Sequence, residues 1–161
     1  MISNHIFKAN VEWQLGHNET TKNVKSFSRN HKVIIPDKKS MLKISAAKQF
    51  RGDKTLYNPE DLLLSALASC HMMSYLYVCS KNNIEVLSYF DTAMAVLKVE
   101  GTGSGSFEKV TLNPVVTIRE SSKKELAKAL HIEANSLCFI ANSCNFEILH
   151  YAKIIINKTL Q

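Results

Sequence analysis

Among the 161 residues, the side chains with the most chemistry to offer are four cysteines, Cys70, Cys79, Cys138 and Cys144. Thiols in that number can staple a small exported domain, hold a metal, or do nucleophilic and redox work. The amino-terminal stretch MISNHIFKANVEW has neither the basic start nor the apolar run of a signal peptide. That predicts a reducing, cytoplasmic setting, in which cysteines are free, catalytic or redox-active. Metal ligation is disfavoured by spacing: there is no CxxC and no HxxxH, and five residues separate Cys138 from Cys144. Cys70 and His71 are neighbours and point apart on a helix. No metal or other cofactor is expected. A Ser-His-Asp triad leaves no obligatory spacing, but the GxSxG elbow that often carries one is absent.

Cys70 sits in the stretch that organises the rest, YNPEDLLLSALASCHMMSYLYVC at 57–79. Asn58 suits an N-cap, Pro59 the first helical position, and Glu60 and Asp61 the positive end of the helix dipole. No Asp, Glu, Lys or Arg follows from Leu62 to Ser80. A helix apolar on every side either spans a bilayer or is enclosed by protein, and this one is just long enough to span. Ser65, Ser69, His71, Ser74 and Ser80 interrupt the run, which predicts a buried central helix wrapped by sheet or by a partner subunit, with no membrane. A cysteine there is ordinarily a small inert hydrophobe. Cys70 is far from the helix N-terminus, so an activated thiolate needs a cation from another segment. Cys79 lies on the opposite helix face and cannot bond to it within a straight helix.

The flanking sequence predicts mainly strands. Residues 5–15 read as a first strand and 24–35 resume extended character up to Val33-Ile34-Ile35. Pro36-Asp37-Lys38-Lys39 makes a turn and Met41 to Ser45 pairs back as a hairpin. Residues 46–58 form a loop with Arg51, one of three arginines beside Arg29 and Arg119. After Asn82-Asn83 breaks the helix, residues 84–99 read as one long strand, since Val86, Phe90, Met94 and Val96 share an alternation. Gly101, Gly103 and Gly105 connect strand to strand, so they form a hairpin tip rather than a phosphate loop. Residues 107–119 return as a strand. Ser121 or Ser122 caps a helix with Glu125 at capping-box distance and Leu126, Ala129, Leu130 and Ala134 on its apolar face. Leu137 to Ser143 add a short helical turn with Cys138, and Phe146 to Ile156 finish as a strand. The order predicts an α+β fold with largely antiparallel sheet, as a single domain over 1–161.

The formal charge of +6 comes mostly from lysines scattered along the chain. Nucleic-acid binding calls for a denser stripe with arginines and stacking aromatics, and is not expected.

NPEDLLLSALASC closely resembles the signature of the OsmC/Ohr family of thiol-dependent peroxidases, with Glu60 ten residues before Cys70. Ala134-Asn135-Ser136-Leu137-Cys138 fits the second family motif, an alanine, three residues and a cysteine on a later helix. Phe139, Ile140 and Ala141 stand where the family usually has Pro, a β-branched residue and Ser, and His71 stands where Phe is common, which marks a divergent, OsmC-like branch. The resemblance implies antiparallel sheets packed on a long central buried helix in an intertwined homodimer with sites at the subunit interface.

It also implies roles. Cys70 becomes the peroxidatic thiol and Cys138 the resolving one, with Cys144 as a competitor for the second role. Arg51, with Arg29 as second choice, supplies the cation, and Glu60 holds the guanidinium by a bidentate pair. The substrate implied is an organic hydroperoxide and the reductant an external dithiol. The altered segment after Cys138 motivates a rival expectation, a dimer of this fold with little turnover that binds apolar ligands or senses redox state.

Overall fold

The structure is a computed structural model and describes residues 3–157, so the ends of the expected 1–161 domain, residues 1–2 and 158–161, lie outside the described residues. Two compact units meet in the chain at Leu62 and Leu63.

The first unit carries a three-stranded antiparallel meander, β1 (Asn10–Glu12), β2 (His31–Ile34) and β3 (Leu42–Ile44). The expected hairpin at Pro36–Lys39 forms, with Asp37 at φ 65°. Beyond β3 the chain makes a single 3-10 turn at Lys48–Phe50 and then Arg51 at φ 65°. Gly52 is required here by close approach, since a Cβ on it would lie 1.5 Å from the Ala46 carbonyl oxygen. The loop is further tied by Asp53 N–H to Ser45 Oγ at 3.0 Å and by Thr55 N–H and Oγ1 to Asp53 Oδ1 at 2.9 and 2.7 Å.

α1 (Pro59–Lys81) starts as its sequence predicts. Asn58 Oδ1 accepts the Asp61 N–H at 2.8 Å and Asp61 Oδ2 accepts the Asn58 N–H at 3.3 Å, a reciprocal cap worth about 1 kcal/mol. The helix ends at Asn83 in the left-handed conformation, φ 53°, with Lys123 Nζ bonded to the Asn82 and Asn83 carbonyls. By length and composition α1 could cross a membrane, with mean hydropathy 1.5 in its most apolar window. Within this one chain Leu67, His71, Tyr75, Val78 and Cys79 of α1 are buried, while Met73 and Tyr77 are 58% and 56% exposed. One chain supplies enough sheet and helix to cover a stripe of α1, not its circumference.

The second unit holds two mixed three-stranded sheets. One is ordered β4-β7-β9 (Val86–Asp91, Pro114–Ile118, Lys153–Ile156) and the other β5-β6-β8 (Met94–Val99, Gly105–Leu112, Glu147–His150). β4/β7 and β5/β6 are antiparallel, whereas β7/β9 and β6/β8 are parallel. Each of the three long runs expected as one strand is therefore two strands in different sheets. Pro114 has no N–H to lend and opens β7. Asn113 bridges the first two joints, its N–H on Asp91 Oδ1 at 2.7 Å and its Nδ2 on the Thr92 carbonyl at 2.9 Å. Tyr151 N–H closes the third on the Leu112 carbonyl at 2.9 Å. The glycine hairpin tip is as expected, with Gly103 at φ 86°.

α2 (Lys124–Leu137) is preceded by a 3-10 turn at Ser121–Lys123, so the serines are wound into that turn and no side chain caps the helix. Its buried face is Ala127, Leu130, His131 and Ala134, rotated one position from the expected Leu126 and Ala129. α3 (Phe139–Asn142) is the short turn that follows. Tyr75, Val78, Val116, Ile118, Leu130 and Ile154 form the larger core cluster, each fully buried aliphatic or aromatic side chain contributing about 1.5–3 kcal/mol.

Candidate functional site

The second core cluster places the two motif cysteines together. Cys138 is fully buried among Leu67, Val110, Leu112 and Ala141, and Cys70 packs against this group from α1. Three sequence features converge here. α1 carries Cys70 about three turns in, α2 ends so that Cys138 takes an extended conformation at φ −76°, ψ 109°, and α3 turns back over it. The Ala141 N–H points at Cys138 Sγ at 3.4 Å. Desolvation, and then the neighbouring Cys70 thiol, push the Cys138 thiol up to about 11. Cys138 therefore keeps its proton near neutrality.

Cys70 is half-buried rather than enclosed. It lines an apolar cavity of about 490 Å³ with Met73, Ser74, Tyr77, Leu137 and Phe139. Cys70 sits on the flank of the helix, one position off the stripe through Leu67, His71 and Tyr75 that this chain buries. Phe139 is 81% exposed at the rim. Cys144 is a half-buried free thiol beyond α3, raised by desolvation, and Cys79 is buried beside Tyr75.

Arg51, Arg29 and Glu60 belong to the first unit. Arg51 is exposed at the end of its 3-10 turn. Arg29 is folded onto the Phe27 ring at 4.6 Å and donates to the Phe27 and Val24 carbonyls at 2.9 and 2.7 Å. The expected bidentate pair with Glu60 is not formed by either arginine: the ion pair found among the described residues joins Arg119 and Glu85. Arg51 is exposed, and Arg29 donates to backbone carbonyls. Glu60 Oε2 is left buried without a hydrogen-bond partner.

Sequence reasoning missed a cluster of imidazoles. His71 of α1, His131 of α2 and His150 of β8 lie together, with His71 Nε2 3.0 Å from His131 Nδ1 and the His71 and His150 rings 4.5 Å apart. Tyr75 stacks on His131 at 3.9 Å and donates its O–H to the Ala127 carbonyl at 2.9 Å. Desolvation, then the neighbouring imidazoles, hold His71 down to about 3, and burial with His150 holds His131 near 4. The signal available was positional: His71 falls on the same helix stripe as Tyr75, and His131 on that of Ala127 and Ala134. Among the described residues no group of three or more His, Cys, Asp or Glu is placed to hold a metal ion.

Comparison with known proteins bears out the motif resemblance and the fold. The profile of the OsmC-like protein family matches residues 52–149. An uncharacterized protein of Methanocaldococcus jannaschii is 32% identical over 100 residues, 59% of this chain and 48% of that protein, so the chain spans about half the length of this curated relative. Of solved structures, an OsmC-like protein of unknown function from Vibrio cholerae superposes with a TM-score of 0.81 at 30% identity, covering 94% of this chain and 100% of that one. A structure described as an organic hydroperoxide resistance protein OsmC from Legionella pneumophila has a TM-score of 0.67 at 16% identity, covering 94% and 98%, a likeness of fold.

Proposed function

The chain belongs to the OsmC-like protein family, and from that premise we propose that it is a cysteine-based peroxidase that reduces organic hydroperoxides in the cytoplasm. The observation that carries the reading is the pairing of Cys70 with Cys138, one sulfur on an apolar cavity and the other buried behind it. A thiol held up at about 11 does not begin the reaction. Cys70, which faces the cavity, is the attacking sulfur.

In the first step the Cys70 thiolate attacks the distal peroxide oxygen. The O–O bond breaks, the alkoxide takes a proton and leaves as alcohol, and Cys70 becomes a sulfenic acid. Cys138 then displaces the sulfenic oxygen as water and forms the disulfide. An external dithiol returns both sulfurs to thiols by exchange. The lining of Met73, Leu137, Tyr77 and Phe139 favours a hydrocarbon-bearing peroxide over hydrogen peroxide. The cation that stabilises the thiolate is assigned to Arg51, with Arg29 as second choice, and the orphaned oxygen of Glu60 supports a carboxylate that awaits a guanidinium. The active form is a homodimer, a reading supported by the uncovered apolar flank of α1.

Intact mass spectrometry tests this. One equivalent of cumene hydroperoxide removes the mass of two hydrogens from the wild-type chain, and Cys70→Ser abolishes that loss. Undiminished peroxide consumption by Cys70→Ser overturns the assignment. An unchanged mass in folded protein favours the rival reading, a low-turnover apolar-ligand binder or redox sensor.

A further inference from the structure

The three imidazoles sit on α1, α2 and β8, and the sulfur pair is framed by the same elements. Cys70 immediately precedes His71 on α1, Cys138 follows His131 by two helical turns at the end of α2, and Ile148 of β8 packs on the sulfur cluster two residues before His150. Two polar, directed ties join the helices: Tyr75 O–H to the Ala127 carbonyl at 2.9 Å and, one turn nearer the sulfur pair, His71 Nε2 to His131 Nδ1 at 3.0 Å, both rings at most 3% exposed. Apolar contacts alone would let α1 and α2 slide, because burial is non-directional, whereas a hydrogen bond weakens steeply once its length or angle changes.

The bridge has a cost that a purely structural role leaves unexplained. His71 Nδ1, His131 Nε2 and His150 Nε2 are all buried with no hydrogen-bond partner. Hydrocarbon side chains of similar volume at these places would avoid stranding those nitrogens. Buried polar groups that lower stability are retained where a defined geometry is needed.

We propose that the His71–His131 hydrogen bond is a positioning device that holds α2 in register with α1, so that Cys138 stays against Cys70 and the two sulfurs join readily. His71 and His131 are positioning residues, and the proposal rests on reading Cys70 and Cys138 as a redox pair. The joining it controls is an oxidation: two thiols give up two electrons and two protons, one S–S bond forms, and the oxidant, glutathione disulfide in the test below, is split into two thiols.

The test is the equilibrium of the full-length protein with mixtures of reduced and oxidised glutathione, read as the fraction of the Cys70–Cys138 linked peptide. Because no peroxide is involved, it stands apart from the peroxidase assay. His71→Leu removes the bridge while keeping the volume apolar. Its melting temperature is expected at or above that of the wild type, while its equilibrium constant for disulfide closure falls about fivefold to tenfold, the worth of one net hydrogen bond. His71→Gln, which can still donate to or accept from His131, recovers most of that loss. Should His71→Leu not fold, His131→Asn, whose amide falls short of His71, is held to the same criterion. A folded variant without the bridge that closes its disulfide as readily as the wild type overturns the proposal, as does a wild-type pair that never closes. A pair that closes with glutathione but ignores hydroperoxide sinks the peroxidase reading and leaves this one standing.

Discussion

Cys138 lies fully buried in the apolar cluster against which Cys70 packs from α1, and desolvation pushes the Cys138 thiol up, so the two thiols stand in unequal surroundings. One is shut off from solvent and keeps its proton. The other looks into a cavity where a substrate can arrive.

That inequality predicts how Cys138→Ser behaves. The first equivalent of hydroperoxide is consumed at the wild-type rate, because Cys70 is untouched. Turnover with dithiol falls about tenfold or more, since the sulfenic acid has no internal partner and drifts toward irreversible oxidation. Dimedone labelling followed by peptide mapping places the adduct on Cys70. Cys144→Ser leaves both rates unchanged, and a Cys144→Ser chain that accumulates sulfenic acid would reassign the second role.

Acid should loosen the protein through the imidazoles. His71 and His131 are neutral in the folded chain, with values lowered from 6.5 to about 3 and about 4. Between those limits the unfolded chain binds more protons than the folded one, so stability is complete above pH 6.5 and falls as pH drops below it. The slope is on the order of 1 kcal/mol per pH unit for each histidine that stays neutral. Urea titrations at pH 7.5 and pH 5 measure the fall, and His71→Leu reduces it.

Gly52→Ala tests the loop that carries Arg51. The new Cβ would meet the Ala46 carbonyl oxygen at 1.5 Å, so the backbone has to move. A loss of about 2 kcal/mol or more in stability is expected, comparable to other cases of enforced backbone strain. Thermal melts check the stability. Peroxide kinetics check whether the displaced Arg51 also lowers kcat/KM, which the role assigned to it requires.

Phe139→Ala tests the cavity rim. Removing a large aromatic from an apolar lining costs about tenfold in kcat/KM for cumene hydroperoxide, on the scale of the 1–3 kcal/mol that hydrocarbon contacts contribute to discrimination. Hydrogen peroxide, which has no hydrocarbon to place there, reacts unchanged. Equal losses for both peroxides would mean that Phe139 supports the cysteines instead of the substrate.

The start of α1 was legible because its signals are local: Asn58, Pro59 and Asp61 act within one turn, and the structure repeats them as a reciprocal cap. The pair Cys70 and Cys138 was legible only through the resemblance of their two motifs to the family's, since nothing local brings together residues so far apart in the chain. What was not legible depends on partners distant in sequence. The alternation through Val86, Phe90, Met94 and Val96 carries no mark of which sheet a strand will join, so the crossing after Asp91 passed unseen. The absence of charge on α1 likewise recorded how apolar the helix is, but not how much of it one chain can cover. His71, His131 and His150 are 60 and 19 residues apart along the chain, and no local pattern announces that they meet.

The joints at residues 92–93, 113 and 151–152 lie side by side, laced by Asn113 and Tyr151. Every strand of one sheet is thereby the prolongation of a strand of the other, as two fabrics woven from the same warp. A slip of one residue in the sheet holding Ile154 would have to be absorbed at that seam or transmitted to the sheet holding His150, where it would turn the imidazole out of its cluster. The sheets are thus tied to a common register, and a change in the length of any one joint is felt on both sides of it.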